Sequence, residues 1–299
     1  MTFNINEFTT PDQLNQLIER AITEDLGPDR LDITTQTFIP ENLTATAHVI
    51  ARQPGTLAGA ALIPHIIAAY NPNIALQAHL EDGATLQPGS NIATLTGPLR
   101  GILSAERLVL NFITHLSGIA TLTSQFVKLT AGTPAKICDT RKTLPGLRHL
   151  QKYAVACGGG TNHRIGLHDA VLIKDNHLAH LHLDNLTAAV NLAAEKARQT
   201  QPNLKFVQVE VDTLDQLKHV LAADIDMVLL DNMSHDQLKQ AVQLRDQLAL
   251  AVLLEASGNV NLQTAQAIAQ TGVDRISIGA LTHSVPSLDC GLDIREDAP

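Results

Sequence analysis

The 299 residues contain no tryptophan, only 3% aromatic side chains and only three cysteines. So few aromatics leave almost no platforms on which the bases of a single-stranded nucleic acid can stack, and they oblige the core to be aliphatic. Cys138, Cys157 and Cys290 are odd in number and have no C-x-x-C spacing, which argues against a disulfide framework and against a structural zinc centre. These thiols are expected to be reduced, with Cys138 in the core of a strand. Long apolar runs are missing too: none reaches the roughly eighteen uncharged residues that a membrane span needs. The opening MTFNINEFTTPDQ has neither a basic nor an apolar leader region, so the expected location is cytoplasmic. Positive charge is in deficit. Lys and Arg number 21 against 30 Asp and Glu, the net charge is −9, and no basic run exceeds the pair Arg141-Lys142. Neither nucleic acid nor an anionic membrane is an expected partner. Thirteen histidines show no H-x-x-x-H spacing on a helical stretch, and no metal-ligating residues are expected.

Against this background one stretch stands out. From Lys136 to His177 there are seven Lys and Arg and three acids, a cationic island in an acidic chain. Concentrated positive charge of this kind suits a pocket for a small, multiply charged anion.

The organisation around that stretch is legible from periodicity. Leu14, Leu17, Ile18 and Ile22 share one helical face, and Gly27 suits the end of that helix. Residues 44–97 alternate short extended pieces with Asp82-Gly83 and Pro88-Gly89 turns around one apolar segment, the pattern of a small α+β domain. Residues 102–129 read as helix with a break near Ser117-Gly118. Six short apolar runs then follow, AKIC, AVLI, FVQV, MVLL, AVLL and RISI, each ending on a polar residue or a glycine, and the last four recur at the period of βα units. Their apolar continuity suits parallel strands covered on both faces, and their number favours an α/β barrel over an open sheet.

Barrels place ligands at the C-terminal strand ends. Here those ends carry Asp139 with Arg141 and Lys142, then Lys174, Glu210, Asp231, Glu255 with Ser257, and Ser277 with Gly279. Arg141, Lys142, Arg164 and Lys174, with His163, form a basic set in which arginine offers a planar fork for carboxylates and lysine a compact charge. The alternative for any one of them is an ordinary solvated ion pair. Glu210 and Asp231 end consecutive strands and are expected side by side. They can hold ribose hydroxyls, hold a Mg²⁺ that bridges diphosphate oxygens or steady a developing positive charge; equally, they can cap strands or pair with Lys174. Ser257, Gly258 and Asn259, and likewise Ser277, Ile278 and Gly279, fall in the last two strand-to-helix turns. There small residues leave N–H groups open to phosphate at a helix N-terminus, unless these are generic tight turns. Gly158-Gly159-Gly160 permits close approach to a ligand or a neighbouring strand, or else a flexible loop. Cys157 has no partner of known spacing, which sets aside a cysteine nucleophile.

Eight segments together resemble the quinolinate phosphoribosyltransferase family: EDLG with DITT (24–35), AERLVLNFITHLSGIAT (105–121), DTRKTLPGLRHLQKYAV (139–155), GGGTNHRIGLHDAVLIKDNH (158–177), VQVEVDT (207–213), VLLDNMS (228–234), LEASGN (254–259) and ISIGALTHS (276–284). One departure is Leu31, which stands where the family has a glycine and touches none of the candidate ligands.

The resemblance implies an N-terminal α+β sandwich-like domain, residues 1–113, followed by an incomplete TIM-like α/β barrel, residues 114–299. Whether residues 290–299 pack back on the first domain stays open. It implies phosphoribosyl transfer from phosphoribosyl diphosphate to quinolinate with decarboxylation, giving nicotinate mononucleotide in NAD biosynthesis. It implies a homodimer or a multiple of dimers in which Arg107 serves the partner's site. Quinolinate contacts are then expected at Arg141, Lys142, His163, Arg164 and Lys174, ribose and diphosphate contacts at Glu210, Asp231, Ser257, Gly258, Asn259, Ser277, Ile278 and Gly279, and a further substrate contact at Thr140. Lys142, Lys174, Glu210 and Asp231 are expected to act in catalysis, with Mg²⁺ carried by phosphoribosyl diphosphate. Arg148 and Lys152 are expected to be solvated charge. Two rivals are a phosphoribosyltransferase for nicotinate, which has fewer carboxylates than so many cations suit, and a silent phosphosugar-binding protein, which would not need the acid pair and Lys174.

Overall fold

Thr10 and Pro11 start the first helix, Pro11–Leu26, through a reciprocal cap in which Gln13 N–H donates to Thr10 Oγ1 at 3.2 Å and Thr10 N–H to Gln13 Oε1 at 3.1 Å. Leu14, Ile18 and Ile22 are its buried stripe and Gly27 its end, as the periodicity predicts. The computed structural model describes residues 3–179 and 181–295. It contains twelve strands among those residues: β1 (Thr44–Ala51), β2 (Gly55–Thr56), β3 (Ala75–Ala78), β4 (Thr85–Leu86), β5 (Asn91–Pro98), β6 (Lys136–Cys138), β7 (Val171–Ile173), β8 (Val207–Val211), β9 (Met227–Asp231), β10 (Leu253–Ser257), β11 (Arg275–Ser277) and β12 (Cys290–Arg295). The described residues fall into two compact units. The first takes those up to Ser124, Leu144–Gly159 and those from Ser284; the second takes Gln125–Thr143 and Gly160–His283.

In the first unit β12, β1, β5 and β3 form an antiparallel sheet in that order, and β2 pairs with β4. Along β1, Ala47, Val49 and Ala51 are fully buried while the residues between them are half-buried, the period-two pattern of a sheet with one packed face. The C-terminal strand therefore does return to this unit, with Thr46 facing Arg295 and Ala51 facing Cys290; residues 296–299 lie outside the described set.

The helix Leu99–Leu129 runs for 31 residues without the break expected at Ser117-Gly118. Those two small residues instead admit close neighbours. Ser117 Oγ accepts from Ala58 N–H at 3.0 Å and donates to Ala58 O at 3.1 Å, and a Cβ on Gly118 would collide with the Pro286 carbonyl. The domain boundary expected after residue 113 falls inside this helix.

The helix Arg148–Cys157 is buried on most sides. Tyr153 Oη donates to Asp82 Oδ2 at 2.6 Å, and Asp82 also accepts from Ala60 N–H at 2.9 Å. Lys152, expected to be solvated, is 1% exposed, because its helix is enclosed by the unit instead of lying along its surface. The glycine run acts in packing: a Cβ on Gly158 would collide with Ala120 O and Thr123 Cβ on the long helix, and none of the three glycines lines the cavity described below.

The second unit holds six parallel strands in the order β6-β11-β10-β9-β8-β7. The sheet runs through five neighbouring pairs, but no β6–β7 pairing closes it among the described residues, so the barrel is incomplete. All five residues of β8 are buried, whereas all three of β7, at the open edge, are half-buried. Thr161 partly covers the other edge by bridging to Cys138, with its N–H donating to Ile137 O at 2.7 Å. The three cysteines are buried, and no disulfide joins them.

Gly158→Ala is expected to lower unfolding stability by about 1–3 kcal/mol through overpacking against backbone that cannot move aside. A lowered urea midpoint with an unchanged slope is the expected reading; an unchanged midpoint would contradict the packing role.

Candidate active site

Strand register sets the levels of the site. Glu210 is aligned with Leu229, Leu229 with Glu255, Asp231 with Ser257, and Ser257 with Ser277. Aligned residues of parallel strands share a face, so Glu210, Leu229 and Glu255 form a lower tier and Asp231, Ser257 and Ser277 an upper one. Glu210 and Asp231 are thus offset by two residues along the strands, not side by side as expected. These tiers and the loops above them enclose a cavity of about 770 Å³ whose lining residues all belong to the second unit.

The floor is a buried polar cluster. Glu255, with no exposure, accepts from Ser277 Oγ and, at 2.9 Å, from Arg275 Nε; His163 Nε2 lies 3.3 Å from it and 2.9 Å from Gln208 Oε1. Burial alone would raise the Glu255 pKa, but His163, Arg275 and Ser277 outweigh it, and the carboxyl is held below its ordinary value. Arg164 N–H donates to His163 Nδ1 at 2.8 Å, which leaves the ring proton on Nε2. Both ring nitrogens of His163 are therefore engaged by protein. Asp139, expected to leave its strand into the site, is fully buried and instead holds the 162–163 segment, accepting from Asn162 Nδ2 at 2.6 Å and His163 N–H at 2.8 Å.

Cations form one wall. After β6, Thr140 Oγ1 accepts from Lys142 N–H at 3.0 Å and Thr282 Oγ1 donates to Lys142 O at 2.7 Å, so the Lys142 backbone is anchored from two sides. Arg141 Nε is buried with no hydrogen-bond partner. Arg164 is buried, and its pKa is lowered first by burial and then by the charge of Arg141; it stays protonated, since an arginine titrates far above neutrality. Asp169 shapes the Arg164 loop by accepting from Ile165 N–H and Gly166 N–H, both at 2.9 Å, and pairs with Lys205 at 3.1 Å. Burial would raise its pKa from 3.8, but these contacts bring it down to about 2. Lys174 Nζ lies 2.6 Å from Glu210 Oε2, so the ion pair weighed as an alternative is present, in a cavity both side chains line.

The opposite wall consists of turns. Gly258 has φ 98 and Asn259 φ 50, left-handed backbone that glycine adopts freely and asparagine tolerates. This turn is not at a helix N-terminus, because the next helix begins only at Ala265. Ser277, Ile278 and Gly279 lead directly into a helix of only four residues, Ala280–His283.

The structure thus brings together in one cavity Thr140, Arg141, Lys142, His163, Arg164, Lys174, Glu210, Asp231, Ser257, Gly258, Asn259, Ser277, Ile278 and Gly279. Arg107 belongs to the first unit, on the helix Leu99–Leu129, with its side chain 65% exposed. Sequence reasoning missed Leu172, Leu229, Asn232 and His283, which also line the cavity. Leu172 and Leu229 were hidden inside apolar runs that read as core. Asn232 follows Asp231 directly, and that adjacency was the available signal.

Comparison with known proteins covers nearly the whole chain. Family models described as quinolinate phosphoribosyl transferase, N-terminal domain and C-terminal domain, match residues 32–117 and 119–293. The nicotinate-nucleotide pyrophosphorylase (carboxylating) of Mycobacterium leprae is 47% identical over 286 residues, 95% of this chain and 98% of that protein. The probable enzyme of the same name from Bacillus subtilis is 41% identical over 94% of this chain and 93% of its own. The solved structure of the nicotinate-nucleotide pyrophosphorylase from Francisella tularensis superposes with a TM-score of 0.86 at 40% identity, covering 99% of this chain and all of that one.

The lowered Asp169 pKa makes the Arg164 loop pH-sensitive in a definite direction. Its stabilisation is complete above the ordinary value of 3.8 and is lost as pH falls through about 2. Asp169→Asn is expected to cost about 2 kcal/mol at neutral pH. Urea unfolding at a series of pH values should show the gap from the parent protein closing towards the acid end; a gap independent of pH would contradict the assignment.

Proposed function

Because the chain belongs to the quinolinate phosphoribosyltransferase family, we propose that quinolinate and phosphoribosyl diphosphate meet in the cavity bounded by Arg141, Lys174, Asp231 and Gly258. The reaction is that of the family: the phosphoribosyl group passes to quinolinate, which loses CO₂, and nicotinate mononucleotide and diphosphate are released in NAD biosynthesis. The observation that carries the placement is the convergence of four cations, Arg141, Lys142, Arg164 and Lys174, with two acids, Glu210 and Asp231, in one cavity.

Quinolinate is a dianion on a flat ring. Arg141, with its unsatisfied Nε, and Arg164, which repels it, are two cations with a shared demand for carboxylate oxygens. Leu172 and Leu229 offer apolar contact to the ring, and Thr140 adds a hydroxyl. His163, with its ring nitrogens engaged, lines the floor and orients Arg164 through the backbone bond.

As the bond between C1 of the sugar and the diphosphate breaks, positive charge grows on the sugar, and the Glu210 and Asp231 carboxylates steady it. Lys142 and Lys174 draw charge from the departing diphosphate or hold a carboxylate. Ser257, Gly258, Asn259, Ser277, Ile278 and Gly279 face phosphate oxygens. The pyridine nitrogen donates its lone pair to C1 and becomes cationic. The C2–carboxylate bond then breaks, CO₂ leaves, and the electron pair remaining on C2 is held beside the cationic nitrogen until C2 takes a proton.

Magnesium carried by phosphoribosyl diphosphate fits this donor set. Among the described residues no three His, Cys, Asp or Glu side chains are grouped to hold an ion by themselves. A cation that keeps its waters and leans on phosphate oxygens needs only one or two carboxylates, which Glu210 and Asp231 supply. When bound, it neutralises charge on the leaving diphosphate.

The buried cysteines, none of them in a disulfide, suit a reducing cytoplasm, and no helix among the described residues is long and apolar enough to cross a membrane. In a homodimer, or a multiple of dimers, Arg107 of one chain would complete the carboxylate site of the other; its exposed side chain, 4.0 Å from Glu106, is available for that.

Mixing the protein with quinolinate, phosphoribosyl diphosphate and Mg²⁺ should release CO₂ and nicotinate mononucleotide, and Lys174→Ala should slow turnover by about a hundredfold or more, near 3 kcal/mol. Near-normal turnover by that variant would remove Lys174 from the site. Arg107→Ala and Lys174→Ala chains, each impaired alone, should regain activity when mixed; no recovery would mean that each cavity is built from one chain.

A further inference from the structure

Asn232 is unusual on three counts. Its backbone is left-handed, with φ 53, directly after β9. Its Nδ2 donates to Asp231 Oδ2 at 2.7 Å, and its Oδ1 accepts from Asn259 Nδ2 at 3.3 Å. Its own N–H donates to Ser257 O at 2.9 Å, extending the β9–β10 ladder one step beyond the last paired residues, Asp231 and Ser257. The side chain sits so tightly against the next turn that a Cβ on Gly258 would collide with Asn232 Oδ1. Asn259, the far partner, is itself left-handed at φ 50. Two non-glycine residues held in this sparsely populated region, on neighbouring turns and bonded to each other, store a conformation that the surroundings must enforce.

We propose that Asn232 is a positioning residue that locks the Asp231 carboxylate and the Ser257–Asn259 turn into one rigid element, so that the ribose and phosphate contacts of phosphoribosyl diphosphate are preorganised together. The inference rests on the reading of Asp231 and this turn as sugar-phosphate contacts. It follows from the bonding that one amide spans both: the amino end fixes which Asp231 oxygen remains free to face the sugar, and the carbonyl end fixes the turn. Uncoupling the two halves leaves each present but free to move, and the cost falls on the substrate that touches both. Quinolinate, held by the cations of the other wall, is spared.

Asn232→Gly isolates this role, because glycine accepts φ near 53 without strain and removes both side-chain bonds. Asn259→Gly does the same at the far end. The dissociation constant of phosphoribosyl diphosphate, measured by calorimetry without quinolinate, and its KM should rise about tenfold in Asn232→Gly, two lost bonds with one to a charged group. The KM for quinolinate should stay within about twofold and the thermal midpoint should scarcely move. Asn259→Gly should show a smaller loss, and the double variant should match Asn232→Gly alone, because the bond that the Asn259 side chain makes is already gone and glycine keeps the backbone N–H that faces phosphate. Unchanged phosphoribosyl diphosphate affinity in Asn232→Gly, equal weakening of both substrates, or additive losses in the double variant would each overturn the proposal. If the parent protein itself fails to bind phosphoribosyl diphosphate, the functional reading fails; if it binds and the variants bind equally, the coupling alone fails.

Discussion

A carboxylate with no access to water lies at the centre of the second unit, and the arrangement of the cavity depends on its being satisfied. A buried ion left unpaired costs several kcal/mol, so Glu255 dictates what may surround it. Ser277 and Arg275 must come from the adjacent strand β11, and His163 from the segment that covers the edge of β6. Meeting that demand fixes β10 against β11, orients the His163 ring, and through His163 Nδ1 sets the backbone at Arg164. Asp139 repeats the logic beside β6, where it holds Asn162 and the His163 N–H. The cations of the cavity wall are thus supported by a buried acid in its floor, Glu255, and by one behind it, Asp139.

Much of the fold was legible because its signals are local. The N-terminal helix follows from one apolar stripe and its Gly27 end, and the six parallel strands from six short aliphatic runs, the last four at the spacing of βα units. What escaped was decided by distant packing. Ser117-Gly118 has the composition of a helix break, yet Ala58 and Pro286 take advantage of those small side chains and the helix continues. Lys152 reads as solvent charge because nothing near it in sequence says that its whole helix is enclosed. The incomplete barrel, open between β6 and β7, was implied by the family resemblance alone, since spacing counts strands but does not report which of them pair.

The site was legible to the extent that chemistry sits at strand ends. Arg141, Lys174, Glu210 and Asp231 announce themselves as charges closing apolar runs. Sequence could not distinguish a charge that faces a ligand from one that supports its neighbours: Asp139 ends a strand as Glu210 does, yet it lines no part of the cavity and holds Asn162 and the His163 N–H instead. Nor could it show that Glu210 and Asp231 stand on different tiers, because register across strands depends on pairing and not on spacing. Asn232 was overlooked for a related reason, since its significance lies in a backbone angle and in bonds to two turns at once.

The pairing of β12 with β1 bears on how such a chain is made. Arg52 and Asp293, an ion pair across those strands, are 241 positions apart, and the segments of the second unit lie between them. During synthesis β1 can find β5 early, but its other edge waits until the entire second unit has left the ribosome. The first unit begins first and finishes last, while the inserted one has all its segments available sooner. Contacts of such long range make assembly slow, and an unpaired strand edge is open to a wrong partner for as long as it waits. The alternation of buried alanine and valine with polar Thr46 and His48 along β1 keeps that waiting strand only moderately sticky, so its vulnerability is one of timing more than of composition.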